Sequence, residues 1–412
     1  MNVDQLRSAM IEAFHSAIAA VDLATLSHKF VQNTALASPV AMIAIGKAAP
    51  AMAQGAAAAL GPELCDALIA TIAQPSADDV LRIGRVRLGS HPLPNQDSVD
   101  AATACLQVAS CTQAASLLVL VSGGASSIVC APPESMPLAD KIALHSALIR
   151  SGATIRDVNV VRRHLSQIKG GRLAAAFAGP VVCAIASDVI DGAPHDVGSG
   201  PACIDPTSVE DAARVIREHL GSEALRRLGP LLSEGLQPCT LAASRVQAQI
   251  LVEPQDFAFS LADELSKAGL AARTERLGDL TAAGLARWMV ERSHQLAAGQ
   301  AVTGACEPTL RLHGPVGRGG RAGWVALRAL IDPDLARDAV LLCGASDGLD
   351  GTSGAAGACV CATDRERAAD SEFQHALAAH DDVSVHTRLG TMLAGGPTGI
   401  NLTDVYAVAR PG

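Results

Sequence analysis

The 412-residue chain is nearly half apolar, poor in aromatic residues and rich in Ala, Val, Leu and Gly, which suits closely packed α/β layers and is long enough for two domains. Its formal net charge of −9, with no basic run and no stacking series of aromatics, leaves no basis for nucleic-acid binding, and its apolar content argues against disorder. No basic segment leads into an apolar one at Met1–Gln5, no run of about 18 uninterrupted apolar residues occurs, and eleven cysteines are scattered without a CxxC pair, so a cytoplasmic protein with free thiols and no membrane association is expected.

Apolar residues at helical spacing from Leu6 to Val21 predict an opening helix over 5–28. Val40–Ile45 reads as a buried strand, ends in Gly46-Lys47 and passes into an Ala-rich helix reaching Leu60. Lysine is scarce, with only Lys29, Lys47, Lys141, Lys169 and Lys267, so a lysine at a strand–turn–helix junction is informative. Its compact ammonium suits a point contact to phosphate. Strands are expected at 67–73 and 85–88, followed by Gly89-Ser90-His91-Pro92-Leu93-Pro94-Asn95, a loop fixed by two prolines in which His91 is either a ligand contact or a hydrogen-bonded loop residue.

A helix over 97–110 feeds the central stretch, Leu117–Val121 followed by Ser122-Gly123-Gly124-Ala125-Ser126-Ser127. Five apolar residues without polar alternation read as a buried parallel strand. The glycine pair turns the backbone sharply, so amides and hydroxyls face one space at the start of a helix, the make-up of an anion site. Strand-like runs also end in Ile185-Ala186-Ser187-Asp188 and Leu342-Cys343-Gly344-Ala345-Ser346-Asp347, and a further turn is Gly395-Gly396-Pro397-Thr398-Gly399. In open α/β sheets ligands sit at the carboxyl ends of strands. The chain is read as built around one such rim.

A helix near 137–151 stops at Gly152, and a cationic helix from Asn159 carries Arg162, Arg163 and His164 into a Lys169-Gly170-Gly171 break. That face either neutralises an acidic ligand or is solvated. A strand at 181–186 delivers Asp188, with Asp191, His195 and Asp196 in the loop beyond. Carboxylates beside anion-binding turns suggest Mg²⁺, which takes one or two carboxylates plus phosphate oxygens. Residues 205–245 carry helix signals, and a domain boundary is placed near 240. Then follow a strand at 248–252, helices at 257–269 and 280–297, an alternating half-exposed strand at Thr309–His313, a glycine loop through Gly319-Gly320-Arg321, and a strand at 339–343 that leads to Asp347-Gly348-Leu349-Asp350-Gly351. Asp347 and Asp350 are metal candidates or ordinary Asp-Gly turn residues. EF-hand spacing is absent.

In order and spacing these pieces resemble the glycerate 2-kinase family, whose C-terminal portion is the MOFRL domain. The resemblance rests on Gly46-Lys47-Ala48-Ala49, Gly89-Ser90-His91-Pro92, Ser122–Ser126, Asn159–Leu173, Ser187-Asp188-Val189, Ser199-Gly200-Pro201, Asp347–Gly351 and Gly396-Pro397-Thr398-Gly399-Ile400-Asn401, and covers nearly the whole chain. It implies an α/β fold of two domains: an N-terminal Rossmann-like parallel sheet with flanking helices (1–240) and a C-terminal MOFRL-like α/β domain (241–412), with the active site in the cleft between them. It implies phosphorylation of the 2-hydroxyl of D-glycerate by ATP with Mg²⁺ in a protein that forms no nucleic-acid or membrane complex and is compatible with a homodimer.

By their own chemistry the residues suit phosphoryl transfer, which needs positioning and charge neutralisation more than covalent catalysis. Lys47 and Arg321 are the expected catalytic cations. Ser122, Gly123, Gly124, Ser126, His91, Arg162, Lys169, Gly396, Thr398 and Asn401 are the expected substrate or nucleotide contacts, and Asp188, Asp347 and Asp350 the metal ligands. Three departures mark a divergent member. The family pattern Gly-Gly-Arg-Asn-Gln-Glu reads Gly319-Gly320-Arg321-Ala322-Gly323-Trp324 here, the acid after Ser187-Asp188-Val189 is moved one place to Asp191, and Thr352-Ser353-Gly354 lacks a further aspartate. The rival readings are an NAD(P)H-dependent hydroxypyruvate reductase, which lacks its G-x-G-x-x-G fingerprint here, and a non-catalytic acid-binding homologue.

Overall fold

The computed structural model describes residues 1–75, 78–233, 245–312 and 316–412. By their contacts they form two units: Leu23–Ser187 with Gly192–Val252, and Met1–Asp22 with Asp188–Asp191 and Glu253–Gly412. The boundary expected near 240 lies outside the described residues. On either side of it, the last strand of the first sheet runs to Val252 and the opening helix groups with the C-terminal residues.

That helix, α1 (Val3–Ala20), is capped by Asn2 and Gln5 in a reciprocal capping box. The single helix expected over 5–28 breaks at Val21-Asp22, and α2 (Leu23–Gln32) belongs to the other unit. Taken together, Val3–Gln32 is the one segment among the described residues long and apolar enough to cross a membrane. Leu6, Met10, Ala13, Phe14 and Ala17 of α1 are nonetheless buried within the C-terminal unit.

The N-terminal unit continues with β1 (Val40–Ile45), α3 (Ala49–Leu60), β2 (Leu64–Thr71), α4 (Asp78–Ile83), β3 (Arg85–Leu88), α5 (Gln96–Cys111), β4 (Ser116–Val121), α6 (Ala125–Ile128), α7 (Leu138–Arg150), α8 (Ile155–His164), α9 (Arg172–Ala175), β5 (Val181–Ala186), α10 (Val209–Ser233) and β6 (Val246–Val252). Its six strands are all parallel, in the order β3-β2-β1-β4-β5-β6. This is the doubly wound Rossmann order. Every residue of β1, β4 and β5 is buried, as a sheet covered on both faces requires.

The C-terminal unit adds α11 (Pro254–Lys267), β7 (Ala271–Thr274), α12 (Ala282–Gln295), β8 (Gln300–Cys306), α13 (Arg321–Leu330), β9 (Val340–Ala345), β10 (Gly357–Cys361), α14 (Asp370–Ala379), α15 (Asp382–Leu389), β11 (Met392–Leu393) and β12 (Asp404–Ala409). Its sheet, ordered β11-β10-β9-β12-β8-β7, is mixed: β7 and β8 are parallel and every other pair antiparallel. The strand expected at Thr309–His313 is corrected, for Thr309 makes only an isolated bridge to Thr281 and His313 lies outside the described residues. The strand of that region is β8, whose small residues gave no alternation. Phe14 of α1 packs against Phe257 and over Gly344 of β9, where a Cβ would lie 2.5 Å from its ring.

Candidate active site

In the first sheet the strand order reverses between β1 and β4, the place where open α/β sheets bind ligands. Ile45 pairs with Val121, so Gly46 and Ser122 leave the sheet side by side. The Ser122 amide donates to the Ile45 carbonyl (2.9 Å), the Lys47 amide to the Gly123 carbonyl (2.9 Å), and the Ala48 amide to Ser122 Oγ (3.1 Å). The approach requires glycine at 46, where φ is +132° and a Cβ would lie 2.1 Å from Ser122 Oγ. Gly46→Ala is expected to cost about 1–3 kcal/mol through backbone strain alone, read as a lower urea midpoint at unchanged slope. An unchanged midpoint would mean that the two turns part readily.

Gly124, at φ +82°, begins α6. A Cβ there would lie 3.2 Å from His91 Cδ2 and 3.3 Å from Lys47 Cγ, so the imidazole and the lysine stem flank the turn. Ser126 Oγ bonds Ser199 Oγ (2.7 Å), Ser199 Oγ donates to Asn159 Oδ1 (3.1 Å), and Arg162 donates to the same oxygen (3.2 Å). Ser126 and Arg162 are thus ends of one polar chain. The neighbouring Arg163 is spent on Asp205 (2.9 Å) and Asp196 (3.6 Å).

Lys169, expected as a ligand contact, is placed otherwise. It is fully buried, and its ammonium donates to the Val129 carbonyl (2.6 Å), the C-cap of α6. Lys141 does the same for Leu165, the C-cap of α8. Both are helix-end lysines, a favourable place for a cation. Burial, with repulsion from Lys141 and Arg162, lowers Lys169 to about 7, which makes it a poor permanent counter-charge for phosphate.

In the second sheet β12 runs antiparallel to both neighbours, so its first residue, Asp404, pairs with Cys306 and Ala345, the last residues of β8 and β9. Glu307, Ser346 and Asp347 follow at the same rim. Arg321, the first residue of α13, donates from Nη1 to Glu307 (2.6 Å) and holds Nε 3.6 Å from Asp404 Oδ2, to which the Tyr406 hydroxyl also donates (3.4 Å). Burial pushes the Asp404 carboxyl up to about 7 against the pull of Arg321. Burial lowers the guanidinium's pKa, and Asp404 and Glu307 more than offset this, so Arg321 stays charged.

The glycine loop ahead of α13 is no anion cradle, because the protein's own side chains take its amides. Arg318 N–H donates to Asp381 (3.3 Å), Gly319 N–H to Thr352 Oγ1 (3.1 Å), Gly320 N–H to Asp382, and Ala322 and Gly323 N–H to the two oxygens of Asp350 (3.0 and 2.8 Å). Asp350, expected as a metal ligand, is therefore a buried helix cap. Asp382 sits where side chains at 319 and 323 would be: a Cβ there would lie 1.9 and 2.2 Å from its oxygens. Burial, then the charges of Asp350 and Asp381, push Asp382 from 3.8 to about 8. The folded state then holds a proton that the unfolded state releases, so this group's stabilisation is complete below the ordinary value and is lost as pH rises through about 8. Asp382→Asn should narrow the difference in melting temperature between pH 5 and pH 9 by roughly 2–4 °C, the shift about 1 kcal/mol produces. An unchanged difference would mean Asp382 is already ionised at pH 5.

Asp188 accepts from Asn401 Nδ2 (3.3 Å). Thr398 donates its amide to the Asp347 carbonyl (3.3 Å) and its hydroxyl to that of Ser346 (2.6 Å), and the Gly396 amide donates to Gly348 (3.1 Å), so the 396–398 turn packs on the Asp347 turn. Asp347 Oδ1 accepts from the Leu349 amide (3.0 Å). No group of three or more His, Cys, Asp or Glu among the described residues is arranged to hold a metal ion.

Residues 9–227 match the family described as a domain of unknown function, DUF4147, and residues 300–404 match the MOFRL family. A D-glycerate 2-kinase of Thermotoga maritima is 31% identical over 89% of this chain and 89% of its own length. The chain belongs to the glycerate 2-kinase family. A second relative, from Agrobacterium vitis and provisionally named a hydroxypyruvate reductase, is 31% identical over 89% of this chain and 86% of its own. The crystal structure of a Thermotoga maritima glycerate kinase superposes with a TM-score of 0.83 at 27% identity, covering 99% of this chain and 100% of that one.

Two of the three departures from the glycerate 2-kinase pattern now have local accounts. Gly323 makes room for Asp382, Trp324 donates its indole N–H to the Leu377 carbonyl (3.2 Å), and Asp191 pairs with Arg276. Sequence reasoning missed Glu307, Asp404 and Asp382. For Glu307 and Asp404 the available signal was an isolated acid at the end of one apolar strand and at the start of another.

Proposed function

We propose that the protein is an ATP-dependent kinase that phosphorylates the 2-hydroxyl of D-glycerate, giving 2-phosphoglycerate. The observation that carries the reading is the pair of turns at the β1/β4 reversal, with Lys47 on one and the Ser122-Gly123-Gly124 backbone on the other. Relatives that align over most of the chain and bear glycerate kinase names supply the substrate.

In the reaction the 2-hydroxyl oxygen bonds the γ-phosphorus of ATP, the bond to ADP breaks, and the hydroxyl proton is lost. The transition state spreads charge over the phosphoryl oxygens, so cations and amides set in advance do most of the work. Lys47 neutralises the phosphoryl group or the glycerate carboxylate, and His91 with the Gly123 and Gly124 amides orients it; in the other unit Arg321 offers a bidentate fork to an anionic group. Gly396, Thr398 and Asn401 shape the rim around Asp347 and Asp188. Mg²⁺ needs only one or two carboxylates and completes its shell with water and phosphate oxygens, so Asp347 and Asp188 are the residues that would hold it. Bound there, Mg²⁺ would neutralise charge on the phosphates.

The reductase reading finds little support in the first βα unit. A dinucleotide site needs G-x-G-x-x-G after β1 and an acid near the end of β2 to hold the ribose. Here Gly46 is followed by Lys47-Ala48-Ala49-Pro50-Ala51, and β2 runs out through Ala70-Thr71-Ile72. The test is ADP release from ATP with D-glycerate, lost on chelation and restored by Mg²⁺, run beside hydroxypyruvate with NADH and NADPH. Nicotinamide oxidation without ADP release would overturn the kinase reading.

A further inference from the structure

Arg321 is held by two carboxylates of opposite character. Asp404 is 7% exposed, and its backbone is locked between β8 and β9. Tyr406 on the same strand, fully buried, donates to it. Glu307 lies beyond the end of β8, is 55% exposed, and meets the outer nitrogen Nη1. The Arg321 side chain itself is 39% exposed.

We infer that Asp404 is the fixed positioning residue of Arg321 and that Glu307 is an exchangeable place-holder, occupying the outer face of the guanidinium until the anionic group of the substrate displaces it. The inference rests on the kinase reading for the identity of that substrate. An exposed ion pair is worth little in water, so Glu307 yields readily. A carboxylate or phosphate offers two oxygens to the planar fork where Glu307 uses one. Asp404 cannot leave in the same exchange, because its strand is paired on both sides and its carboxylate is cut off from water. The two acids therefore act on different quantities: Glu307 sets how tightly an anion is held in the ground state, and Asp404 sets where Arg321 points during transfer.

The experiment compares wild type, Glu307→Gln, Asp404→Asn and Tyr406→Phe. The affinity for inorganic phosphate is measured by calorimetry, and kcat and KM for D-glycerate by ADP release. Glu307→Gln is expected to bind phosphate about 2- to 5-fold more tightly and to lower KM by a similar factor, the range an exposed pair is worth. Asp404→Asn is expected to lower kcat on the order of 100-fold through misplacement of the fork. Tyr406→Phe, which removes one hydrogen bond and no charge, should lower kcat to a lesser degree at unchanged KM. Weaker phosphate binding in Glu307→Gln, or a kcat loss there equal to that of Asp404→Asn, would make Glu307 a fixed partner and overturn the exchange. Wild-type kcat in both Asp404→Asn and Tyr406→Phe would remove Asp404 as a positioning residue. If wild type releases no ADP with D-glycerate, the kinase reading fails, while the phosphate titrations still decide whether Glu307 exchanges.

Discussion

Lys47→Ala should lower turnover of D-glycerate by about 100-fold or more, the loss that follows removal of one preorganised electrostatic donor. The fold should survive, because alanine keeps the backbone amide that residue 47 donates to the Gly123 carbonyl. Lys47→Arg should not restore activity. A planar, delocalised guanidinium does not reproduce the point contact that a compact ammonium makes to phosphate. The measurement is kcat together with the melting temperature. Full activity in Lys47→Ala would remove the ammonium from the mechanism, and loss of folding would assign it to structure.

Arg321→Ala should cost a comparable factor in turnover, again about 100-fold or more. Here the conservative change is the sharper test. Lysine at 321 restores the positive charge beside Asp404 and Glu307 but not the planar fork, so Arg321→Lys should remain close to Arg321→Ala in kcat. Nucleotide affinity measured by calorimetry should change much less than turnover, since the fork is worth most where charge gathers in the transition state. Equal losses in affinity and turnover would make Arg321 a uniform binding residue, and wild-type turnover in Arg321→Lys would remove the need for two parallel hydrogen bonds.

The parallel sheet was readable because β1, β4 and β5 are apolar runs, the first two closed by glycine turns, a local pattern with few alternatives. Strand order could not be read from those runs, and it alone brings Gly46-Lys47 against Ser122-Gly123. Where chemistry depends on a distant partner, the sequence was ambiguous. Asp347 and Asp350 lie three residues apart in one turn and look alike. Only the packing of α13 shows that Asp350 spends both oxygens on helix amides. Lys169 reads as a cation beside a glycine pair until the α6 carbonyl that it caps is seen. Asp404 and Glu307 stand 97 positions apart and meet because β12 runs antiparallel to β8, a non-local pairing that no spacing rule reports. The opening helix was misjudged for a related reason: apolar periodicity carries through Val21, while its two halves find their cores in different units.

The most direct test of the account is the identity of the phosphorylated product. Protein, ATP, Mg²⁺ and D-glycerate are incubated, and the phosphorus spectrum of the mixture is recorded beside the ADP released. The account predicts a phosphoester at the 2-position, 2-phosphoglycerate, in amounts equal to ADP and absent when Mg²⁺ is chelated. A mixture with no phosphoglycerate, from a protein that instead oxidises NADH or NADPH when given hydroxypyruvate, would contradict it.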